Sequence, residues 1–343
     1  MWPVTGHEIA VARLKRAFSK GALGHAYLIS GLPHIGKMTL ALALAQALNC
    51  RQPESPCGVC PVCQRISDNA HPDVQVVALG ESYFGDKSRS RTEISIKQVR
   101  DDIQHWASLP AFEGGYRVFI IGDAELLSSE AANCLLKTLE EPQEKVLFLL
   151  LSCEPSRLPE TVVSRCQRLD LKPVAVVKIV SALLACGATD DKTRLLSRLS
   201  RGCPGWALAA ASDESLLVHR AGRLDGMLEA LSGNLEQRFE YAAELSTRFT
   251  QKRAEVHEVL EDWLGILRDL LLIKTGMNAE IINLDYTDRL QAVAGGLDIN
   301  EIRNGITAVK VASKQLWQNV SSRLVLDVMM LDMPVPSLKR IRV

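Results

Sequence analysis

The sequence predicts an α/β domain with a parallel sheet, followed by a second half built only of helices. Up to about residue 171, apolar stretches of strand length alternate with stretches of helical periodicity, as in parallel sheets with crossover helices. Beyond Pro173 the valine-rich strand patterns disappear and every periodic stretch is helical. A glycine-rich loop between the first strand and the following helix is the third observation that favours this fold class.

The strands of the first half are short apolar or alternating runs bounded by polar or turn-forming residues. They are predicted at residues 27–30, 73–79, 117–121 and 146–151. Helices are predicted at residues 40–48 and 96–106. A further helix can be capped by Ser128 or Ser129 and is stopped by Pro142.

The second half begins with a predicted three-helix unit at residues 174–186, 191–201 and 205–211, and its helices lengthen beyond Ser212. In residues 255–274, apolar side chains recur at i, i+3, i+4 and i+7, and Gly276 is a candidate C-cap. Such a stripe is usually the core of a helix bundle, although it could also serve as an assembly surface.

The glycine-rich loop reads Gly-Leu-Pro-His-Ile-Gly-Lys over residues 31–37. Gly31 and Gly36 would let backbone N–H groups close around phosphate oxygens at a helix N-terminus, and Lys37 would reach the β- and γ-phosphates. A hydroxyl that ligates Mg²⁺ should come next, but Met38 stands there, and Thr39 lies about 100° further round the helix. We predict a degenerate nucleotide-binding loop, and the sequence leaves open whether it binds ATP with Mg²⁺. The alternative is an ordinary turn that binds nothing.

Four cysteines follow the helix of this loop: Cys50, Cys57, Cys60 and Cys63. Thiolates at C-x-x-C spacing can share one tetrahedral ion, and four of them describe a structural Zn²⁺. Disulfides are the competing interpretation, but residues 2–14 lack the apolar core of a secretory signal. We therefore expect the protein to lie in the reducing cytosol, where these cysteines would bind zinc and would not form disulfides. Four residues are expected to keep this stretch out of regular helix: Pro53, Pro56, Gly58 and Pro61.

Composition agrees with a globular protein of two or three domains, since the chain has 343 residues of which 47% are hydrophobic. No apolar run reaches membrane-spanning length, and we expect a cytoplasmic protein without a membrane partner. The formal net charge is zero, so the chain lacks an overall positive potential that would attract nucleic acid. Any contact with DNA must come from a local patch or from partners.

Four further strings carry a family resemblance: residues 25–28 read His-Ala-Tyr-Leu, 115–118 Gly-Tyr-Arg-Val, 135–142 Leu-Leu-Lys-Thr-Leu-Glu-Glu-Pro, and 164–166 Ser-Arg-Cys. Together with the loop and its cysteines, they resemble the delta-prime subunits of bacterial DNA polymerase III clamp loaders, which are AAA+ proteins. The resemblance is dense from about His7 to Leu171 and thins up to Ser212. Beyond Ser212 only the helical character agrees.

The resemblance implies three domains: a AAA+ nucleotide-binding-like domain at residues 1–171 with a zinc module at 50–63, a three-helix lid at 172–212, and a helical collar for oligomerisation at 213–343. It also implies a heteropentameric ring with gamma/tau and delta subunits. Such a ring loads the sliding clamp onto primed DNA during replication. The expected function is therefore that of a non-hydrolysing subunit of the polymerase III holoenzyme rather than of an ATPase on its own.

The gamma/tau motors of this family need three features that this chain lacks. Met38 replaces the hydroxyl, and Ala124 replaces the catalytic glutamate that would follow Asp123, with Glu125 one residue too far along. Gly205 stands where the motors carry a lid arginine. Asp123 could still face Mg²⁺, and Ser152 resembles the family's polar sensor residue after the last of the predicted strands.

Arg165 belongs to the Ser-Arg-Cys string, and the resemblance implies that it reaches a γ-phosphate held by a neighbouring subunit, as a trans arginine finger. An arginine that satisfies strand-end carbonyls is the alternative. Lys97 and Arg100, at a predicted helix start, are predicted to contact DNA phosphates. A solvated helix face explains these two residues equally well.

Two other functions stay open from the sequence. One is an active clamp-loader ATPase of the gamma/tau type, which would show saturable ATP turnover. The other is a zinc-stabilised P-loop module that senses nucleotide outside any ring. Co-elution with partner subunits would separate this second function from a role in an assembly.

Overall fold

The computed structural model of the protein describes residues 2–79, 93–318 and 320–336. The chain divides into two compact units. One unit is formed by Met1–Ala182 with Gly202–Trp206, and the other by Leu183–Arg201 with Ala207–Val343. The division into a AAA+ domain, a lid and a collar stays a prediction.

A parallel sheet is the centre of the first unit, and within the described residues it has five strands in the order β2-β3-β4-β1-β5. The strands are β1 (Ala26–Ser30), β2 (Val74–Val77), β3 (Arg117–Ile121), β4 (Val146–Ser152) and β5 (Gln167–Asp170). Strands β1, β3 and β4 are buried along their whole length, which is why they read as unbroken apolar runs. The predicted parallel α/β fold class is confirmed.

Strand β5 is not among the strands predicted from the sequence. It pairs with β1 at the edge of the sheet, and of its four residues only Leu169 is buried. A short, mostly polar edge strand lacks both the apolar run and the alternation by which strands are predicted.

The helices of the first unit cover both faces of the sheet. They are α1 (Glu8–Ser19), α2 (Lys37–Asn49), α3 (Pro61–Ser67), α4 (Ile96–Gln98), α5 (His105–Ala107), α6 (Ser129–Glu140) and α7 (Glu160–Val163). A π-helical segment, Val99–Gln104, joins α4 to α5, so the helix predicted at residues 96–106 is one continuous helical stretch. Ser128 caps α6 as predicted, because its Oγ accepts a hydrogen bond from the Ala131 N–H.

The cysteine stretch differs from its prediction at Pro61. Pro61 begins α3 and Cys60 caps it, accepting a hydrogen bond from the Cys63 N–H. Proline is favoured at the first position of a helix, where its missing N–H costs nothing. The expectation that this proline excludes helix is therefore wrong, and Cys63 lies on a helix.

Two hydrophobic clusters fill the two faces of the sheet. On one face, Leu40 and Leu44 of α2 belong to a buried cluster with Ile29 of β1. On the other face, Leu135 of α6 belongs to a cluster that includes Phe148 of β4. Within the described residues both faces are covered, and α/β folds of this kind place their ligand sites at the carboxyl ends of the strands.

The remaining helices lie at the end of the first unit and in the second unit. They are α8 (Val176–Ala185), α9 (Asp190–Leu199), α10 (Pro204–Ser212), α11 (Ser215–Ser232), α12 (Leu235–Gln251), α13 (Arg253–Lys274), α14 (Thr287–Gly295), α15 (Ile299–Trp317) and α16 (Ser322–Asp332). The stripe predicted on residues 255–274 is buried in one core cluster around Trp263. Among the described helices, none combines the length and apolar character needed to cross a membrane.

A buried arginine fixes the end of the second unit. Arg238 of α12 is 3% exposed, and its guanidinium donates hydrogen bonds to four backbone carbonyls: those of Leu231, Met330, Met333 and Pro334. Burial lowers the pKa of Arg238. Carbonyl acceptors satisfy a charge that would otherwise be costly to bury, and they tie the segment after α16 to α12.

Candidate functional site

The glycine-rich loop connects β1 to α2 at the carboxyl end of the sheet. Gly31 has φ +152°, and a Cβ there would lie 2.8 Å from the Leu171 carbonyl oxygen. Gly36 has φ +109°, a conformation that side chains rarely adopt. Both glycines are therefore required by the backbone path of the loop itself.

Lys37 is folded back into this loop. It is 6% exposed, and its Nζ donates to the carbonyl oxygens of Gly31 at 2.7 Å and Leu32 at 2.9 Å, and to the Cys153 Sγ at 3.1 Å. An ammonium group has three protons to donate, so all three are committed to protein acceptors. A phosphate could be bound by Lys37 only after these contacts were exchanged.

The two positions after the lysine differ in exposure. Met38 is half-buried and packs against the cluster of β1 and α2, while Thr39 is exposed. The Mg²⁺-ligating position of the loop is thus taken by a thioether side chain, as the sequence indicates.

Gly205 of α10 lies directly against the loop. Its N–H donates to the His34 carbonyl oxygen at 3.0 Å, and a Cβ at this position would lie 2.7 Å from that same oxygen. Real Cβ atoms essentially never come this close to a backbone atom. An arginine, or any other side chain, therefore cannot occupy position 205 without a shift of the loop or of α10.

The ends of β3 and β4 hold the other predicted nucleotide-site residues. Asp123 has a left-handed backbone, with φ 49°. The Glu125 Oε1 accepts a hydrogen bond from the Cys153 N–H at 3.0 Å, and Ser152 is buried, with its Oγ accepting from the Glu154 N–H at 3.1 Å. Burial raises the pKa of the Cys153 thiol. Glu125 therefore joins the segments that follow β3 and β4, whereas the Ser152 hydrogen bond is local to the turn after β4.

The four predicted cysteines converge on one point. Their Sγ atoms all lie within 4.8 Å of one another, and the Cys50–Cys60 and Cys57–Cys63 sulfur atoms are each 3.9 Å apart. A tetrahedral zinc with Zn–S bonds of about 2.3 Å sets its sulfurs about 3.8 Å apart, whereas a disulfide needs about 2.05 Å. The cluster fits a metal ion and does not fit disulfides.

Backbone N–H groups around the cluster favour thiolates. The Cys60 N–H donates to the Cys57 Sγ at 3.4 Å, and the Cys63 N–H donates to the Cys60 Sγ at 3.5 Å. The N–H groups of Val59 and Cys60 lower the pKa of Cys57 to about 6, while burial raises that of Cys63 to about 12. A cation at the centre would supply the charge that keeps all four sulfurs deprotonated.

Sequence reasoning missed Gln46, which connects the cysteine cluster to α2. This buried side chain donates from Nε2 to the Cys63 carbonyl oxygen and to the Ser67 Oγ, both at 2.9 Å. A polar residue in the middle of an alanine- and leucine-rich helix was the signal that could have pointed to it. The cysteine module is thereby fixed to the helix that follows the glycine-rich loop.

A second missed network surrounds Asp73, which is fully buried. Its carboxylate accepts hydrogen bonds from the N–H groups of Phe112 and Glu113 and from the Arg117 guanidinium, 2.9 Å away. Although burial opposes ionisation, these donors hold the pKa of Asp73 below its usual range. Arg65 of α3 bonds the Glu113 carboxylate at 2.8 Å, so the loop before β3 is fixed to both the sheet and the cysteine module.

Arg165 follows α7 and is partly exposed. Its Nη2 donates to the Glu140 Oε1 at 2.5 Å and its Nη1 to the Thr161 carbonyl oxygen at 2.8 Å. About a third of its side chain (34%) is accessible to solvent. The guanidinium therefore lies at the surface with both terminal nitrogens bonded to the same chain.

Lys97 and Arg100 are both exposed at the start of the helical stretch. Ser95 begins this stretch with a capping box that includes Gln98. Lys97 lies on α4, and Arg100 lies in the π-helical segment that continues it. Asp101 and Asp102, both exposed, come directly after Arg100.

Comparison with known proteins gives consistent family matches. Residues 6–175 match the family model described as DNA polymerase III, delta subunit. The DNA polymerase III subunit delta' of Escherichia coli is 30% identical over 316 residues, which cover 89% of both chains. The subunit delta' of Bacillus subtilis is 28% identical over 310 residues, 90% of both chains.

Other proteins are similar over a smaller part of the chain or at a lower identity. The DNA polymerase III subunit tau of Escherichia coli is 36% identical over 178 residues, which are 51% of this chain and 26% of tau. Among solved structures, a DNA polymerase III gamma subunit-related protein of Thermotoga maritima aligns over 97% of this chain with a TM-score of 0.46 and 18% identity. The two delta' subunits align over about nine-tenths of both chains, whereas the tau subunit of Escherichia coli aligns over only 26% of its own length. The chain belongs to the DNA polymerase III delta' subunit family.

Proposed function

We propose that this chain is a non-hydrolysing subunit of a DNA polymerase III clamp loader. It would assemble with gamma/tau and delta subunits into a heteropentameric ring in the cytoplasm, and the ring would use ATP to load the sliding clamp onto primed DNA. The alignment with delta' subunits over about nine-tenths of both chains supports this function. The tau subunits of Escherichia coli and Bacillus subtilis align over 51% and 81% of this chain but over only 26% and 51% of their own lengths.

The Lys37 ammonium donates to two carbonyls of its own loop and to the Cys153 Sγ beyond β4, contacts that a bound phosphate would have to displace. Met38 supplies no ligand for Mg²⁺, and the contact of Gly205 with His34 leaves no space for a lid arginine. These features argue against the gamma/tau-type motor. Nucleotide binding through Gly31, Gly36, Asp123 and Ser152 stays a prediction, with Thr39 the weakest member because it lies one residue, or about 100° of helix rotation, beyond the Mg²⁺-ligating position.

Arg165 is proposed as the group that this subunit contributes to the chemistry of a neighbour. It is a permanently charged, partly exposed fork, and such a group stabilises charge on phosphoryl oxygens during transfer. Lys97 and Arg100 are proposed to contact DNA phosphates, which their exposure permits.

The cysteine cluster is proposed to hold a structural Zn²⁺. Four thiolates leave no open coordination position, so the ion would stabilise the module and take no part in catalysis. Gln46 of α2 donates hydrogen bonds to the Cys63 carbonyl and to Ser67, so a module stabilised by the ion would also stabilise the position of α2.

ATP turnover by the isolated chain, compared with that of a loader reconstituted from the same organism, tests this function. We expect no saturable turnover from the chain alone, and co-elution with gamma/tau and delta subunits in size-exclusion chromatography. A reconstitution that omits this chain should lose turnover stimulated by primed DNA. Saturable turnover by the isolated chain would instead support the motor, and failure to co-elute would support a stand-alone module.

A further inference from the structure

The contacts of Arg165 occupy the atoms that a phosphate would need. Its Nη2 donates to the Glu140 carboxylate, and its Nη1 donates to the Thr161 carbonyl and lies 3.5 Å from the Ser164 Oγ. Arginine binds phosphates most strongly through two parallel N–H bonds from its fork. With one terminal nitrogen on a carboxylate and the other on a carbonyl, that fork is already in use.

Glu140 occupies an unusual position for an acidic residue. It is the last residue of α6, where the helix carries partial negative charge and a carboxylate is disfavoured. The ion pair with Arg165 offsets this repulsion. Glu141, the next residue, is exposed and, within the described part of the chain, makes no ion pair. The carboxylate is therefore placed where it is stabilised chiefly by Arg165.

The ion pair between Glu140 and Arg165 is partly exposed to solvent, so it can be exchanged for another anion. Half of the Glu140 side chain (50%) is accessible to solvent, as is about a third of that of Arg165. Exposed pairs of this kind contribute little to stability and are screened by salt. A γ-phosphate carries more negative charge than a carboxylate, so it can take over the guanidinium when a neighbouring subunit presents it.

We propose that Glu140 is a positioning residue: its carboxylate holds the Arg165 guanidinium on its own subunit until the nucleotide of a neighbouring subunit takes the place of that carboxylate. The inference rests on the proposed role of Arg165 as a trans finger and adds a control on that role. Before the ring closes, the Glu140 carboxylate holds the guanidinium away from the neighbour's nucleotide. Closure exchanges the carboxylate for phosphate oxygens, so the finger engages only when the subunits are correctly apposed.

The test is ATP turnover without DNA by the reconstituted loader that carries Glu140→Gln. Glutamine keeps the size of the side chain but removes the charge that holds Arg165. We expect turnover without DNA to rise about 1.5- to 5-fold at low salt, the range set by an exposed ion pair. The ratio of variant to wild type should fall towards one as salt is raised, because the wild-type pair is screened.

Two comparisons separate this control from a merely structural effect. Glu141→Gln removes the same charge one residue along, without the contact, and should leave turnover unchanged. In an Arg165→Ala background, Glu140→Gln should have no further effect, because the guanidinium that Glu140 holds is absent. The thermal unfolding of each variant checks that the fold is kept.

Each result decides between the two proposals. If Glu140→Gln leaves turnover unchanged or lowers it while Arg165→Ala abolishes it, the proposed positioning role of Glu140 is wrong, but the proposed role of Arg165 as a trans finger is kept. A rise of equal size with Glu141→Gln also contradicts the contact, since general charge would then explain it. If Arg165→Ala has no effect, the proposed finger is wrong and this inference fails with it.

Discussion

At the scale of single residues, the glycine-rich loop is held by contacts with its own lysine and with α10. The Lys37 ammonium donates to the carbonyl oxygens of Gly31 and Leu32 within the loop. Gly205 brings α10 so close to His34 that a single Cβ would collide with its carbonyl. The sequence shows which hydrolytic residues are missing, and these contacts show what has taken their places.

Substitution of Gly205 tests the contact at this scale. We expect Gly205→Ala to lower the free energy of unfolding by about 1–3 kcal/mol, the cost of forcing extra atoms into a packed contact. The measurement is chemical denaturation of the isolated chain. Alanine normally favours a helix over glycine, so a loss of stability here must come from the collision with His34.

Gly222→Ala is the matched control. Gly222 also lies within a helix, α11, and a Cβ there meets nothing within 4 Å. We expect this variant to be as stable as the wild type or up to about 1 kcal/mol more stable. Equal effects of the two substitutions would contradict the close approach of α10 to the loop.

At the scale of elements, the cysteine module is fixed to α2 by Gln46 and to the loop before β3 by the Arg65–Glu113 ion pair. It therefore depends on contacts made far along the chain as well as on a metal. Burial holds the pKa of Cys63 high, at about 12, so binding of a cation must release protons. The affinity for metal should accordingly fall as the pH is lowered.

Metal analysis of freshly purified protein tests this module. We expect about one zinc ion per chain, lost on treatment with a chelator or on acidification. Hydrogen exchange should then rise over residues 50–67. Cys57→Ser should lower the zinc content, whereas Cys186→Ser, an exposed cysteine outside the cluster, should leave it unchanged. Protein without zinc that keeps the wild-type protection of residues 50–67 would contradict the proposed role.

At the scale of the whole molecule, the sequence predicts the features that depend on local patterns. Strands β1, β3 and β4 are buried apolar runs, and the stripe on α13 has helical spacing, so each was predicted from its own residues. Strand β5 was missed because its residues are mostly polar and exposed. Its pairing with β1 depends on a partner about 140 residues away in sequence, which no local pattern records.

The site was predicted unevenly for the same reason. The four cysteines and the loop glycines lie within 33 residues of one another (residues 31–63), so their spacing reveals them. The contacts of Lys37 with Cys153, of Gly205 with His34 and of Arg165 with Glu140 join distant segments. Tertiary packing alone brings these pairs together.

The central claim is that this chain contributes Arg165, and no ATPase activity of its own, to a clamp loader. The most direct measurement is ATP turnover stimulated by primed DNA in the reconstituted loader with Arg165→Ala. Arg168→Ala, an exposed arginine three residues further along, is the control. The account predicts a fall of about two orders of magnitude or more for Arg165→Ala with assembly intact, and little change for Arg168→Ala. Unchanged turnover with Arg165→Ala would contradict the account.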